Sequence, residues 1–225
     1  MEQIEGITLS VSHYKDKDAI LNILTKNGVV VVLGRGIFDQ KKPLRVFTSP
    51  FLHARFEVYK GKVGGFKLKD GQILKFYNEN YLDFNLLGAL DFISELTLKV
   101  IDGIDDYSSL YNYLKETLDK LSIKFDKAYL AKYFLIILRL LGLKIRTGSL
   151  DEHLFNPANG SFTKEEDPDA IYFNFDEIIF IDSILNDKDV DYDIENIDFD
   201  KILNILNIFL TNFTDVRLKS ISILL

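Results

Sequence analysis

The chain has 225 residues, 47% of them hydrophobic and 27% charged, enough to bury a core in one large domain or two smaller ones. It contains no cysteine, which excludes disulfides, iron–sulfur clusters, thiolate zinc and a cysteine nucleophile, and leaves metal only to His, Asp or Glu. The net charge of −7 weighs against nucleic acid as a partner, but it is unevenly spread: residues 1–80 hold 13 Lys/Arg and 8 Asp/Glu, a balance of +5, whereas residues 81–225 hold 14 and 26, a balance of −12.

The opening Met1-Glu2-Gln3-Ile4-Glu5 has neither the basic region nor the apolar stretch of a signal peptide, and the longest apolar run, Phe134 to Leu138, is too short to span a bilayer. A cytoplasmic protein without a membrane segment is expected. From Gln3 to Tyr77 apolar and polar residues alternate and turn pairs recur, the pattern of short strands joined by hairpins. Ile4, Ile7, Leu9 and Val11 mark the first strand. Ala19 to Thr25 and Val29 to Leu33 flank Asn27-Gly28, a pair suited to a type I′ turn. Phe51 to Tyr59 and Val63 to Leu68 flank Lys60-Gly61, and Asp70-Gly71 leads into Ile73 to Tyr77. So many short strands favour a closed or partly closed barrel, since closure removes exposed edges. An OB-fold is expected over residues 1–79, with an SH3-like barrel as the competitor.

After Asn80 the period lengthens to that of helices, giving an all-α domain over 80–225. Leu86, Leu87, Leu90, Ile93 and Leu96 form one stripe; Leu110, Tyr113, Leu114, Thr117 and Leu121 form another. Asp126 is placed to cap a third helix, Lys127 to Leu141, apolar around most of its circumference and stopped by Gly142. Residues 144–170 lose periodicity and collect Gly148, Asn156-Pro157, Asn159-Gly160 and Asp167-Pro168, a loop-rich insertion. Ile171 to Leu185 and Phe199 to Phe213 are helical in pattern, although Ile171 to Ile181 is equally able to begin as a strand.

The window from Arg35 to Lys75 holds ten basic and three acidic residues, interleaved with aromatic ones. On a barrel, cations along a groove neutralise phosphates and exposed rings stack on bases, which serves single strands without reading sequence. The same window also fits a solvated barrel surface over an aromatic core. Gly34-Arg35-Gly36 and Gly64-Gly65 open no helix and precede no Gly-Lys-Ser/Thr, so they are turns, not phosphate loops. His13, His53 and His153 have no histidine four residues on, which leaves helical zinc unsupported. Asp187 to Asp193 alternates carboxylates like a calcium loop, yet Tyr192 stands where glycine is needed and Asp198 where a bidentate Glu is expected. Glu165 to Asp200 carries 14 acidic residues against Lys188 alone, a solvating face, a surface that repels DNA, or a dock for a basic partner. No nucleophile elbow or His-Glu-x-x-His motif is present, and an enzyme is not expected.

The order of segments resembles the RecO family of DNA-repair and recombination mediators. Glu5-Gly6-Ile7-Thr8-Leu9, Tyr14-Lys15-Asp16-Lys17-Asp18-Ala19-Ile20, Leu24-Thr25, Gly28 and Gly34-Arg35-Gly36 are similar to that family's N-terminal pattern. Ser49-Pro50-Phe51 and Phe56-Glu57-Val58-Tyr59-Lys60-Gly61 resemble its Gln-Pro-Phe and aromatic-Tyr-x-Gly strand, Phe134 to Gly142 its Leu-Gly helix, and Arg217-Leu218-Lys219-Ser220 its closing Lys-Leu-Lys-Ser.

The resemblance implies an OB-fold joined to a helical domain, binding of single- and double-stranded DNA, annealing of complementary strands, and work with RecR in displacing single-strand-binding protein. It also implies a pocket in the helical domain for the acidic tail of single-strand-binding protein. On this basis Arg35, Lys41, Lys42, Arg45, Lys60 and Lys62 are expected to contact phosphates, and one or more of Phe38, Phe47 and Phe66 to stack on bases. Lys132 and Arg139 are expected to hold the acidic tail; in the rival reading this adaptor role is primary and DNA binding weak. Two departures stand out. The four-cysteine zinc module of many relatives is replaced by the cysteine-free stretch Lys144 to Ala170, so no zinc or other cofactor is expected and loop packing must hold the insertion. The family's basic run after Lys-Gly is here Ile37 to Pro43, with fewer and later charges.

Overall fold

The structure, a computed structural model, describes residues 1–39, 43–61, 65–77, 83–147, 151–188, 190 and 193–224. Five strands, β1 (Glu2–Tyr14), β2 (Asp18–Thr25), β3 (Gly28–Gly34), β4 (Leu52–Lys60) and β5 (Phe66–Phe76), close into a barrel in the order β1-β2-β3-β5-β4, with a 3-10 helix, Pro43–Thr48, between β3 and β4. All neighbours are antiparallel except β3 and β5, which pair in parallel through Val32↔Phe66 and Leu33↔Lys67. The barrel is OB-like, as expected.

Strand alternation decides what fills it. Ala19, Leu21, Ile23, Val32, Ala54, Phe56, Val58 and Leu68 point inward and are buried, with Phe47 of the 3-10 helix packed among them. Two expected turns differ. The β2–β3 connection is Lys26-Asn27, neither at positive φ, and Gly28 alone takes φ +122 while paired with Thr25. That glycine absorbs the strain just beyond the turn, so Asn27-Gly28 does not form a type I′ pair. Asp70-Gly71 is no turn at all: β5 runs through it, with Gly71 opposite Phe56. A Cβ on Gly71 would lie 2.8 Å from both the Arg55 carbonyl oxygen and the Phe47 ring, so the glycine is there for close packing.

The remaining elements are helices α1 (Phe84–Val100), α2 (Tyr107–Leu121) and α3 (Lys127–Leu140), strands β6 (Leu154–Asn156), β7 (Ser161–Thr163) and β8 (Ile171–Tyr172), and helices α4 (Phe175–Leu185), α5 (Phe199–Thr214) and α6 (Ile221–Leu224). Asp126 caps α3, accepting from the Ala128 amide at 2.9 Å, and Gly142 (φ +74) follows its end. Among the described residues no helix is long and apolar enough to cross a membrane.

The chain divides into two compact units, Met1–Ser94 with Asp106–Phe125, and Glu95–Asp105 with Asp126–Leu225. The expected division fell at 79/80; here α2 groups with the barrel, which Tyr111 and Asp119 contact. The Tyr111 hydroxyl meets His53 Nε2 at 2.9 Å, and Asp119 accepts from Lys75 Nζ at 2.6 Å, Lys115 Nζ at 2.8 Å and the Tyr77 hydroxyl at 3.0 Å. Burial works to raise the Asp119 carboxyl, but these donors outweigh it and hold it at about 2.

In the second unit the stretch 144–170, expected to be loop, carries β6 and β7, and these pair into the small sheet β7-β6-β8 with a strand that starts at Ile171, one of the two readings left open there. Phe155 is its centre, with ring centroids 5.0 Å from Phe162, 5.9 Å from Phe173 and 6.1 Å from Phe209. Apolar packing around this ring holds the small sheet against α5. The closing segment is tied down too: the Glu95 carboxylate accepts from the Ser220 hydroxyl at 2.5 Å, the Ser220 amide at 2.8 Å and the Lys219 amide at 2.9 Å.

Two outcomes are expected. Phe155→Ala should lower the stability of the second unit by about 3–5 kcal/mol in urea unfolding, and a chelator should leave the wild-type curve unchanged. Because Asp119 titrates below its ordinary 3.8 in the folded state, its stabilisation is present above pH ~4 and is lost as pH falls toward 2. Asp119→Asn should flatten that part of an acid-unfolding curve followed by Tyr fluorescence.

Candidate nucleic-acid interface

Residues paired across strands share a face, so the ladder registers define a row around the outside of the barrel. Ser12↔Ile20, Ile20↔Leu33, Leu33↔Lys67 and Lys67↔Tyr59 line up five side chains across β1, β2, β3, β5 and β4. A second row, Ser10↔Asn22 and Asn22↔Val31, runs beside it, with the Asn22 amide donating to the Ser10 hydroxyl at 2.8 Å. Val31 is 53% exposed and Tyr59 40%. The result is a shallow aliphatic face with an aromatic ring and a cation at one margin. This β2–β3 face is where OB-folds take oligonucleotides.

Arg35 stands two residues past Leu33, in a turn that is held from below. The Gly36 amide donates to Asp18 Oδ1 at 2.7 Å and the Phe38 amide to the Lys17 carbonyl at 3.1 Å. The Phe38 ring stacks on His13, centroids 3.9 Å apart and 10° from parallel. The β1–β2 turn and the turn after β3 are therefore clipped together, bringing exposed Tyr14, His13, Lys15 and Arg35 to one neighbourhood.

The expected site residues fare differently. Arg35 and Arg45 are exposed, and Phe38 and Phe66 are half-buried. Lys60 is exposed but lies 3.8 Å from Glu2. Phe47 is only 2% exposed, its ring 5.7 Å from Phe56 inside the barrel, so the base-stacking expected of it is replaced by a core role. Lys41, Lys42 and Lys62 lie outside the described residues. Lys132 and Arg139 are on α3, half-buried, seven residues and about 10.5 Å of helix apart. Arg139 donates to the Ile184 carbonyl at 3.1 Å and pairs with Asp187 at 2.9 Å.

The positive charge of the first 80 residues is partly spent on internal pairs. Arg55 meets Glu5 at 2.8 Å, Lys69 meets Glu57 at 3.8 Å, Lys17 meets Asp39 at 3.8 Å and Lys75 meets Asp119. The Arg55 guanidinium holds the Glu5 carboxyl below its ordinary value, and burial keeps His53 low despite Glu5 at 3.4 Å. Among the described residues Lys15, Lys26, Arg35, Arg45 and Lys67 have no carboxylate within 4.0 Å. Tyr59 and Lys67 were not singled out by sequence reasoning, although inward Val58 and Leu68 on either side of the β4–β5 pairing would have placed both outside.

Residues 1–77 match the family described as "Recombination protein O N terminal". The chain is 28% identical over 119 residues to "DNA repair protein RecO" of Oceanobacillus iheyensis, covering 52% of this chain and 46% of that protein. To the protein of the same name from Leuconostoc mesenteroides it is 27% identical over 184 residues, 79% of this chain and 71% of the relative. To that of Listeria monocytogenes it is 25% identical over 145 residues, 64% and 56% of the two chains. The matched stretches thus span from about half to seven-tenths of these relatives.

The two kinds of aromatic residue should separate experimentally. Phe47→Ala should cost about 3–5 kcal/mol of stability through the cavity it leaves, whereas Tyr59→Ala, at the surface, should shift the unfolding midpoint by under about 0.5 kcal/mol.

Proposed function

We propose that this chain, a member of the RecO family through its N-terminal barrel, serves DNA repair and recombination by holding DNA on the outer face of that barrel. The observation that carries the reading is the row Ser12, Ile20, Leu33, Lys67 and Tyr59, with Arg35 at its margin. Lys15, Lys26, Arg35, Arg45 and Lys67, unopposed by carboxylates among the described residues, neutralise phosphates. Tyr59, Tyr14 and the Phe38–His13 stack offer ring faces to bases, and Ile20, Val31 and Leu33 provide an apolar floor. The chemistry is non-covalent.

Annealing follows from the same physics. Two strands repel each other through their phosphates, and a surface that screens them lowers the barrier to pairing without reading sequence. The names of the relatives support a repair role. Cooperation with RecR and displacement of single-strand-binding protein rest on the family alone and belong to this proposal. Lys60 remains in it as a further phosphate contact, and Lys41, Lys42 and Lys62, outside the described residues, are kept in it on the sequence reading alone.

A second reading, in which protein recognition is primary, draws on the pairing of so many barrel cations with carboxylates. Lys132→Glu would then abolish binding of an acidic tail peptide and spare naked DNA, whereas Lys41→Glu with Lys42→Glu would do the reverse. The primary reading predicts a steep salt dependence. With about five phosphates engaged, log K for a labelled single strand against log salt should have a slope of about −3.5. Fluorescence anisotropy measures it, and the Arg35→Glu, Lys67→Glu variant should lose about two phosphates' worth of that slope. A slope near zero retires the reading.

A further inference from the structure

The segment that leaves α3 is Lys144-Ile145-Arg146. Ile145 is buried, while Lys144 and Arg146 on either side of it are exposed. In extended chain, residues two apart share a side and stand about 6.6 Å apart. The segment is fixed by the insertion: the Arg146 amide donates to the Gly160 carbonyl at 2.8 Å, and the Phe162 amide to the Arg146 carbonyl at 3.1 Å. Gly160 takes φ +68, and a Cβ there would lie 2.6 Å from the Phe209 ring and 3.2 Å from the Lys144 carbonyl oxygen. Two cations are therefore mounted on a rigid ledge.

Arg139, at the last turn of α3, is the third cation, held by the Ile184 carbonyl and Asp187. Together Arg139, Lys144 and Arg146, with Leu143, Ile145 and Leu185, line a cavity of about 380 Å³. It adjoins another of about 680 Å³ that shares Ile145, Arg146 and Asn186. Asp182 on that side is engaged by Lys188 at 2.6 Å and Thr147 at 2.7 Å, and these donors outweigh burial to keep its carboxyl low. Among the described residues no carboxylate lies within 4.0 Å of Lys144 or Arg146.

We infer that this groove is a second contact for the phosphate backbone of a nucleic-acid strand. Cations held side by side, in a part of the chain with 26 acidic and 14 basic residues, make a local positive field that favours a polyanion. Two adjoining cavities are longer than one small anion requires, and the aliphatic walls suit sugars and base faces. The inference rests on the barrel being the first DNA contact: a second strand held here gives the protein two strands to bring together.

The test uses the full chain with Lys144→Glu and Arg146→Glu, and a control pair, Arg217→Glu and Lys219→Glu, that makes the same charge change elsewhere in the second unit. Anisotropy reads binding of one labelled single strand, and a fluorescence-quench assay reads annealing of two complementary strands. The expected result is single-strand affinity within twofold of wild type, annealing slowed at least fivefold, and the control unchanged. Annealing at the wild-type rate in the groove variant overturns the inference and leaves the barrel reading intact, as does equal slowing by the control pair. An acidic peptide that protects the groove from limited modification of Lys144 while DNA does not also overturns it. Failure of the wild-type protein to bind a single strand sinks the barrel reading and this inference with it.

Discussion

The short parallel pairing of β3 with β5 is the constraint on which the rest depends. Among the described residues Val32↔Phe66 and Leu33↔Lys67 make it, and this short pairing closes the barrel and removes two open edges. It also carries Lys67 and, through β4, Tyr59 to the outer face that β2 and β3 begin. Without closure β4 and β5 would still join the sheet through β1, but the step from Leu33 to Lys67 that completes the row from Ser12 to Tyr59 would not exist. Inward Val32 and half-buried Phe66 give the junction its apolar support. The clip between the β1–β2 turn and the turn after β3 then fixes Arg35 beside it.

Cations in this chain do two kinds of work, and the structure separates them. Lys75, with the Tyr77 hydroxyl, reaches Asp119 and ties α2 to the barrel, Arg55 serves Glu5, and Lys201 meets the fully buried Glu177 at 2.5 Å. In such pairs the cation's charge is offset by its own carboxylate, which leaves little field for a ligand. The cations without carboxylates are fewer than composition suggests. A charge balance over a sequence window therefore overstates what a polyanion meets, and positions matter more than the sum.

Much of the fold was legible in the residues. The alternation in β1 to β4, the stripes of α1 and α2, and the Asp126 cap with Gly142 stop of α3 were read from spacing alone, because each is a local rule. Local rules fail where a distant neighbour decides. Gly71 looked like a turn because the Phe47 ring that presses on it is distant in sequence. Phe47 looked available for stacking because a 3-10 helix, unlike a strand, gives no inside–outside alternation. The stripe of α2 told which face is buried but not that Tyr111 and Asp119 beside it tie the helix to the barrel. In the insertion, loss of periodicity hid two strands of three residues, too short to alternate, whereas the start of β8 at Ile171 was among the readings the residues left open.

The central claim is that one outer face of the barrel is the surface that meets DNA. A nuclear magnetic resonance titration of the ¹⁵N-labelled protein with a short single-stranded oligonucleotide tests it residue by residue. The account predicts that the largest amide shifts fall on Ser12, Ile20, Leu33, Arg35, Tyr59 and Lys67. Shifts that leave those six unmoved, and gather on other strands or on the helices, would contradict it.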